Sequence, residues 1–368
     1  MRVNNRPHRT IWFDEARACV TIIDQTRLPH EFVSRDLVSL EDAASAIRDM
    51  WVRGAPLIGA AAAWGVALAM RTDASDAGLD RACKSLAATR PTAVNLAWAL
   101  ARMRAQLQTI ATHNRARDAH EMACEIADED VAINAAIGDH GFALLRAIAA
   151  RKKPGEPLNI MTHCNAGWLA TVDWGTATAP IYKAYDAGMQ LHVYVSETRP
   201  RNQGASLTAW ELANHGVPHT LIVDNAAGHL MQHGKVDVVI TGADRVTSTG
   251  DACNKIGTYL KALAARDNGV PFYVATPSPT IDFSLSDGRA EIPIETRSAQ
   301  EVTHISGMTR EGRIETVRLS PEKSPALNHG FDVTPARLVT GLLTERGLVA
   351  ANREALAQAF PAQVISPA

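Results

Sequence analysis

Between residues 158 and 275 short apolar runs recur at helix-sized intervals, and this alternation constrains the chain more than any other feature of it. The runs occupy 158–161, 191–195, 220–223, 236–240 and 271–275. Each has the length and composition of a buried strand, and each gap has room for a helix. Parallel neighbours need such crossovers, which are right-handed almost without exception. The pattern predicts an α/β fold whose carboxyl-terminal half is a Rossmann-like, doubly wound parallel sheet.

The preceding half has a different texture. Residues 9–34 read as two short strands, with Thr21-Ile22-Ile23-Asp24-Gln25 the clearer, closed by a turn at Leu28-Pro29. From about Ser39 to Arg151 the chain is alanine-rich and helical. Ser39-Leu40-Glu41-Asp42 offers a capping start, and Leu40, Ala44, Ile47 and Met50 fall on one helical face. The stretch Arg151-Lys152-Lys153-Pro154-Gly155-Glu156-Pro157 disfavours any regular element and marks a boundary. Two domains are therefore expected, a mainly helical one over 1–150 and the α/β one over 151–368. The prolines after Phe360 predict a loosely ordered tail.

Composition narrows the function classes. A 46% hydrophobic, 21% charged chain is an ordinary globular one, and a net charge of −2 gives no bulk attraction for nucleic acid or anionic lipid. No membrane partner is expected, because no run reaches the roughly 18 apolar residues of a span, and 54–70, the nearest approach, reads as a buried helix start. The amino terminus lacks the apolar core of a signal peptide, so a cytoplasmic protein is expected. The five cysteines, Cys19, Cys83, Cys124, Cys164 and Cys253, show no CxxC spacing, and the thirteen histidines no HExxH pair, so neither a disulfide framework nor a metal is expected. Neither GxGxxG nor GxxxxGK[ST] occurs, which argues against dinucleotides and nucleoside triphosphates bound through those loops. No cofactor is expected.

Sites in open α/β sheets gather at the carboxyl ends of strands, and three exits carry polar groups. Thr162-His163-Cys164-Asn165-Ala166-Gly167 places a cysteine at the end of an apolar run, before a predicted helix from Gly167. A helix amino terminus there would lower the thiol pKa and favour a nucleophile or base, while a buried structural thiol is the alternative. Thr241-Gly242-Ala243-Asp244-Arg245 delivers Asp244, either a desolvated general acid, opposed by Arg245 if that side chain points inward, or a capping or ion-paired carboxylate. The polar loop at 196–204, ending before a helix near Ala205, suits hydroxyls or an anion, or is a solvated surface loop. Asn254-Lys255 is read as a helix start whose lysine faces an anion. Arg53-Gly54-Ala55-Pro56 and Arg90-Pro91 pair an arginine with a turn, for anion binding or for bridging the two halves. A thiol, an acid, two arginines and a lysine suit a small phosphorylated substrate.

Together these motifs resemble the methylthioribose-1-phosphate isomerases of methionine salvage, a group in the superfamily of the regulatory subunits of the initiation factor two B complex. The resemblance runs from about residue 10 to 350, through RGAPLIG at 53–59, RPTAVNLAWAL at 90–100, THCNAGWLAT at 162–171, ETRPRNQGASLTAWEL at 197–212, ITGADRV at 240–246, GDACNKIGTY at 250–259, PFYVATPSPTID at 271–282 and FDVTP at 331–335. It implies a catalytic pair, Cys164 and Asp244, and substrate contacts from Arg53, Gly54, Ala55, Arg90, Gln203, Asn254 and Lys255. It also implies a sugar-phosphate substrate and a homodimer formed through the carboxyl-terminal domain. The chain departs from the family at Ser206, where arginine is frequent, at Thr296, and at Asn328-His329-Gly330 before FDVTP. These leave a 5-deoxyribose 1-phosphate open as substrate, and a noncatalytic initiation-factor-like module is the competing class.

Overall fold

The computed structural model describes residues 1–3 and 6–361. After a short antiparallel pair, Arg2–Val3 with Arg6–Pro7, three antiparallel strands, Ile11–Asp14, Cys19–Ile23 and Ser34–Leu37, stand where two were expected and lead into five helices, Leu40–Arg48, Ala55–Thr72, Asp76–Ala87, Val94–Leu107 and Arg115–Ala149. Ser39 starts the first helix with the expected capping box, its side chain accepting from Asp42 N while the Asp42 carboxylate accepts from Ser39 N. The helix Ala55–Thr72 is apolar on every face, because it runs through the middle of the helical half. Both it and Arg115–Ala149 have the length and mean hydropathy of a membrane span; the first, the expected nearest approach to one, is 78% buried inside the fold, as a buried helix start requires, and the second was not singled out in the sequence.

The predicted parallel sheet is present, with seven strands in the order Gly347–Val349, Gly341–Thr344, Phe272–Ala275, Val238–Thr241, Leu158–His163, Leu191–Ser196, His219–Ile222. All pairings are parallel except the hairpin between Gly341–Thr344 and Gly347–Val349, a pair absent from the sequence expectation. The long helix packs its Ile137 and Leu145 into the core on one face of this sheet, and Gly141 lets it settle against Pro180. A second sheet of four strands, Ile281–Asp282, Arg245–Thr247, Ala252–Lys255 and Phe331–Thr334, was not foreseen. Of the tail, Phe360 is buried in the core against the expectation of loose order, and 362–368 lie outside the described residues.

Candidate active site

The strand order reverses at Leu158–His163. From there the chain steps outward through Leu191–Ser196 to His219–Ile222, then returns to the other side of the same strand with Val238–Thr241. The carboxyl ends of Leu158–His163 and Val238–Thr241 therefore flank a topological switch point, where the outgoing loops diverge and leave a crevice. Cys164 follows the first strand directly, and Asp244 leaves the second after Gly242. A Cβ on Gly242 would lie 2.6 Å from that of Ala166, so glycine is what lets the two loops approach.

Cys164 does not stand at a helix amino terminus. The segment after it forms a single 3-10 turn, Trp168–Ala170, and the next helix begins only at Ala179. The cysteine instead has φ 64°, a left-handed conformation held by two threonines: Thr198 Oγ1 accepts from Cys164 N at 2.8 Å, and Thr208 Oγ1 donates to its carbonyl at 2.7 Å. Without the helix dipole, burial dominates and pushes the thiol up, opposed by the Arg53 and Lys255 charges. The expectation of a lowered thiol pKa is thereby corrected.

Asp244 and Lys255 come from an unforeseen antiparallel ladder. Arg245 pairs with Cys253, and Asp244 N donates to Cys253 O at 2.8 Å, which brings Asp244 beside the strand end at Lys255. Lys255 is thus a buried strand residue rather than the first turn of a helix, which begins at Thr258. Its ammonium sits 4.4 Å from the Phe331 ring centroid. Burial lowers its pKa, against the opposing pull of Cys164 and Asp244. Asp244 is raised by burial, and Lys255, Arg53 and Arg90 oppose that shift. Arg245 points away, to Thr92 O at 2.7 Å and Asp282 at 3.3 Å, bridging the two halves of the chain.

Seven of the nine residues taken from the sequence line one cavity: Arg53, Gly54, Arg90, Cys164, Gln203, Asp244 and Lys255. Ala55 and Asn254 do not. Ala55 is the first residue of its helix, and the Asn254 amide donates to Thr258 Oγ1 at 3.0 Å. Gly54, with φ 90°, is tied to its place, since a Cβ there would lie 2.4 Å from Ala170 O. Gln203 Oε1 is buried without a hydrogen-bond partner among the described residues, an acceptor suited to a substrate hydroxyl. The cavity also takes Arg201, from the polar loop expected to hold hydroxyls or an anion, and Met50, Ile58, Glu295, Arg297 and Phe331, which were not expected in the site.

Part of this wall is ionic. Arg90 faces Glu295 at 3.6 Å, Arg297 reaches Glu295 at 2.7 Å and Glu301 at 2.8 Å, and Arg201 reaches Glu301 at 2.8 Å. Burial would raise Glu301, but hydrogen bonds from Arg297, Arg201 and Asn328 overcome it and hold the carboxyl down at about 2. The inner cavity measures only about 40 Å³, space for a few waters and not for a pentose phosphate. Met50, Arg53, Arg201 and Gln203 also border an outer cleft of about 530 Å³, which Ser206 helps to line.

Residues 51–351 match the Initiation factor 2 subunit family. The chain is 64% identical over 364 residues to the methylthioribose-1-phosphate isomerase of Methylocella silvestris, covering 99% of this chain and all of that protein. Among solved structures it is similar to the 5-methylthioribose 1-phosphate isomerase of Pyrococcus horikoshii OT3, with TM-score 0.83, 40% identity and coverage of 97% and 96% of the two chains. It is also similar to the translation initiation factor eIF-2B subunit delta from A. fulgidus, with TM-score 0.78, 36% identity and coverage of 96% and 100%.

Proposed function

The chain belongs to the Initiation factor 2 subunit family, and from that premise we propose that it is an isomerase converting 5-methylthioribose 1-phosphate to 5-methylthioribulose 1-phosphate, the aldose-to-ketose step of methionine salvage. The observation that carries this reading is a thiol and a carboxyl from the two strands at the switch point, Cys164 and Asp244, in one cavity walled by Arg53, Arg90 and Lys255.

The substrate is a cyclic 1-phosphate and cannot open to a free aldehyde. Opening requires a proton on the ring oxygen, and Asp244, whose burial favours the protonated form, supplies it. Cleavage of the bond between C1 and the ring oxygen leaves an electron-deficient C1. In one route hydrogen passes with its electron pair from C2 to C1, and the C2 hydroxyl returns its proton to the Asp244 carboxylate as the ketone forms. In the other, Cys164 as thiolate removes the C2 proton to give an enol phosphate; the thiol then delivers a proton to C1 while the C2 hydroxyl gives its proton to the Asp244 carboxylate and becomes the ketone. Burial of a neutral thiol supports the first route. Arg53, Arg90 and Lys255 hold the phosphate, arginine by its planar fork and lysine as a point charge. Gln203 and Gly54 complete the substrate contacts, and Ala55 and Asn254 stand behind the wall and hold its shape.

The same reading divides the chain near residue 150, between the end of the long helix at Ala149 and the first sheet strand at Leu158. It takes the protein as a cytoplasmic homodimer, supported by the open edge strand His219–Ile222 with Leu221 exposed and by the exposed Val223 and Leu260. Sedimentation of the purified protein tests the dimer. A 5-deoxyribose 1-phosphate is the second substrate to assay, because Ser206, at the family's frequent arginine position, borders the outer cleft.

Conversion of methylthioribose 1-phosphate by the purified protein, beside Cys164→Ser and Asp244→Asn, is the test. Turnover should fall by roughly 10²–10⁴-fold in Asp244→Asn by either route, and in Cys164→Ser when the thiolate takes the C2 proton, with the fold intact. Folded wild-type protein that converts neither sugar phosphate would reject the enzyme reading and leave the binding-module class.

A further inference from the structure

Resting on the isomerase reading, we infer that Glu211 is a positioning residue: through the side chain of Asn165 it fixes the guanidinium of Arg53 at the wall of the catalytic cavity. Glu211 is 1% exposed and belongs to the helix Ala209–His215, which continues the π-helical turn Gly204–Thr208. Its Oε1 accepts from Asn165 Nδ2 and from Leu169 N, each at 2.9 Å. Its Oε2 accepts from Trp168 N at 3.2 Å and from the Tyr182 hydroxyl at 2.9 Å. Four donors converge on one carboxylate, filling its roughly four lone-pair directions, and only an acceptor at both oxygens can serve them all.

The consequence reaches the cavity through one amide. The Asn165 NH2 is spent on Glu211 and on Thr208 Oγ1 at 3.2 Å, so its Oδ1 must face the other way, where Arg53 Nη1 donates to it at 2.5 Å. Arg53 Nη2 donates to the Asn165 main-chain carbonyl at 2.9 Å. An acceptor-only group on one side and a donor-only group on the other leave the amide a single orientation. Among the described residues Arg53 has no carboxylate within ion-pair distance, so Asn165 alone sets the plane of the guanidinium. That plane decides where its remaining N–H groups point in the cavity, and where its charge falls relative to Cys164 and Asp244. The loop is shaped around the carboxylate: a Cβ on Gly167 would lie 1.7 Å from Glu211 Oε2.

The test is a double-mutant cycle of Glu211→Gln and Arg53→Lys, read in KM and kcat for methylthioribose 1-phosphate, with a crystal structure of Glu211→Gln. If Glu211 acts through Arg53, Glu211→Gln raises KM about tenfold alone and less than about twofold in the Arg53→Lys background. In the crystal structure Arg53 has left its two contacts on Asn165. Effects that multiply in the double variant, or an Arg53 that keeps both contacts, overturn the inference. If Glu211→Gln does not fold, Asn165→Ala takes its place in the cycle, since it deletes the relay and leaves the carboxylate three donors. Failure of the wild type to turn over its substrate counts against the isomerase reading, and the crystal structure still decides the placement of Arg53.

Discussion

Gly167→Ala puts the packing around Glu211 under a direct load. The backbone at Gly167 has φ −91° and ψ −171°, which any residue adopts, so alanine meets no conformational penalty and the effect is steric alone. The new Cβ would lie 1.7 Å from Glu211 Oε2, 2.5 Å from Cδ and 2.7 Å from Oε1. To reach even a tight 3.0 Å contact Oε2 must withdraw by 3.0 − 1.7 = 1.3 Å. A carboxylate at the end of a free side chain would swing aside at little cost. This one is pinned by four donors, and a withdrawal of that size breaks at least the two bonds to Oε2, from Trp168 N and Tyr182. Burial pushes the Glu211 carboxyl up to about 7, so above that pH it is charged, and at about 1.5–3 kcal/mol for each hydrogen bond to a charged group the loss is about 3–6 kcal/mol. Urea unfolding measures it as a fall in midpoint at constant slope. Gly307→Ala, at a site with nothing within 4 Å of the added methyl, is the control and should stay within about 0.5 kcal/mol of wild type. A Gly167→Ala protein within about 1 kcal/mol of wild type, with unchanged KM, would refute the claim that the carboxylate is fixed in place.

Three further outcomes are expected. Arg90→Met removes a charge that favours the ionised Asp244, so the Asp244 pKa rises further. The enzyme needs this acid protonated, and kcat/KM is lost as pH climbs through its pKa; the alkaline limb of the pH profile should therefore move to higher pH in the variant, and a limb that stays or moves down would contradict the assigned role. Cys164, 5% exposed with its thiol pushed above the ordinary 9.0, should resist iodoacetamide at pH 8 in the native protein. Peptide mapping that finds it alkylated ahead of the part-buried Cys124 would show a thiolate the structure does not support. Turnover in deuterated water should leave C1 of the product free of solvent deuterium if hydrogen passes from C2 as hydride, whereas label at C1 would favour the thiolate route.

Periodic burial is what made the α/β half readable. Strands covered on both faces are forced to be apolar runs, so four of the seven main strands stand out at 158–163, 191–196, 238–241 and 272–275, while the edge strand 219–222 was legible only from its own apolar residues, with Leu221 exposed. The two that escaped, Gly341–Thr344 and Gly347–Val349, are short and begin with glycine, and no helix-sized pattern precedes them. Strand exits are local features of the sequence, and Cys164 and Asp244 were found there because each follows its run within a few residues. The ladder that holds Asp244 and Lys255 pairs 245–247 with 252–255, three and four residues whose side chains are as polar as those of a loop. Their register depends on Phe331–Thr334 packing alongside from nearly eighty residues away, and no local period encodes that.

Glu211 illustrates the deeper limit. In sequence it is one acidic residue in a helix, indistinguishable from a solvated one. Its burial becomes intelligible only when the loop from 165 to 169 and the helix carrying Tyr182 are seen to converge on it. Groups that touch substrate sit where the chain must expose them, at strand ends and glycine turns, and so leave a local mark. A group that holds another in place is hidden by the packing that makes it effective, so its mark lies on its neighbours, here on Gly167, where no larger residue fits.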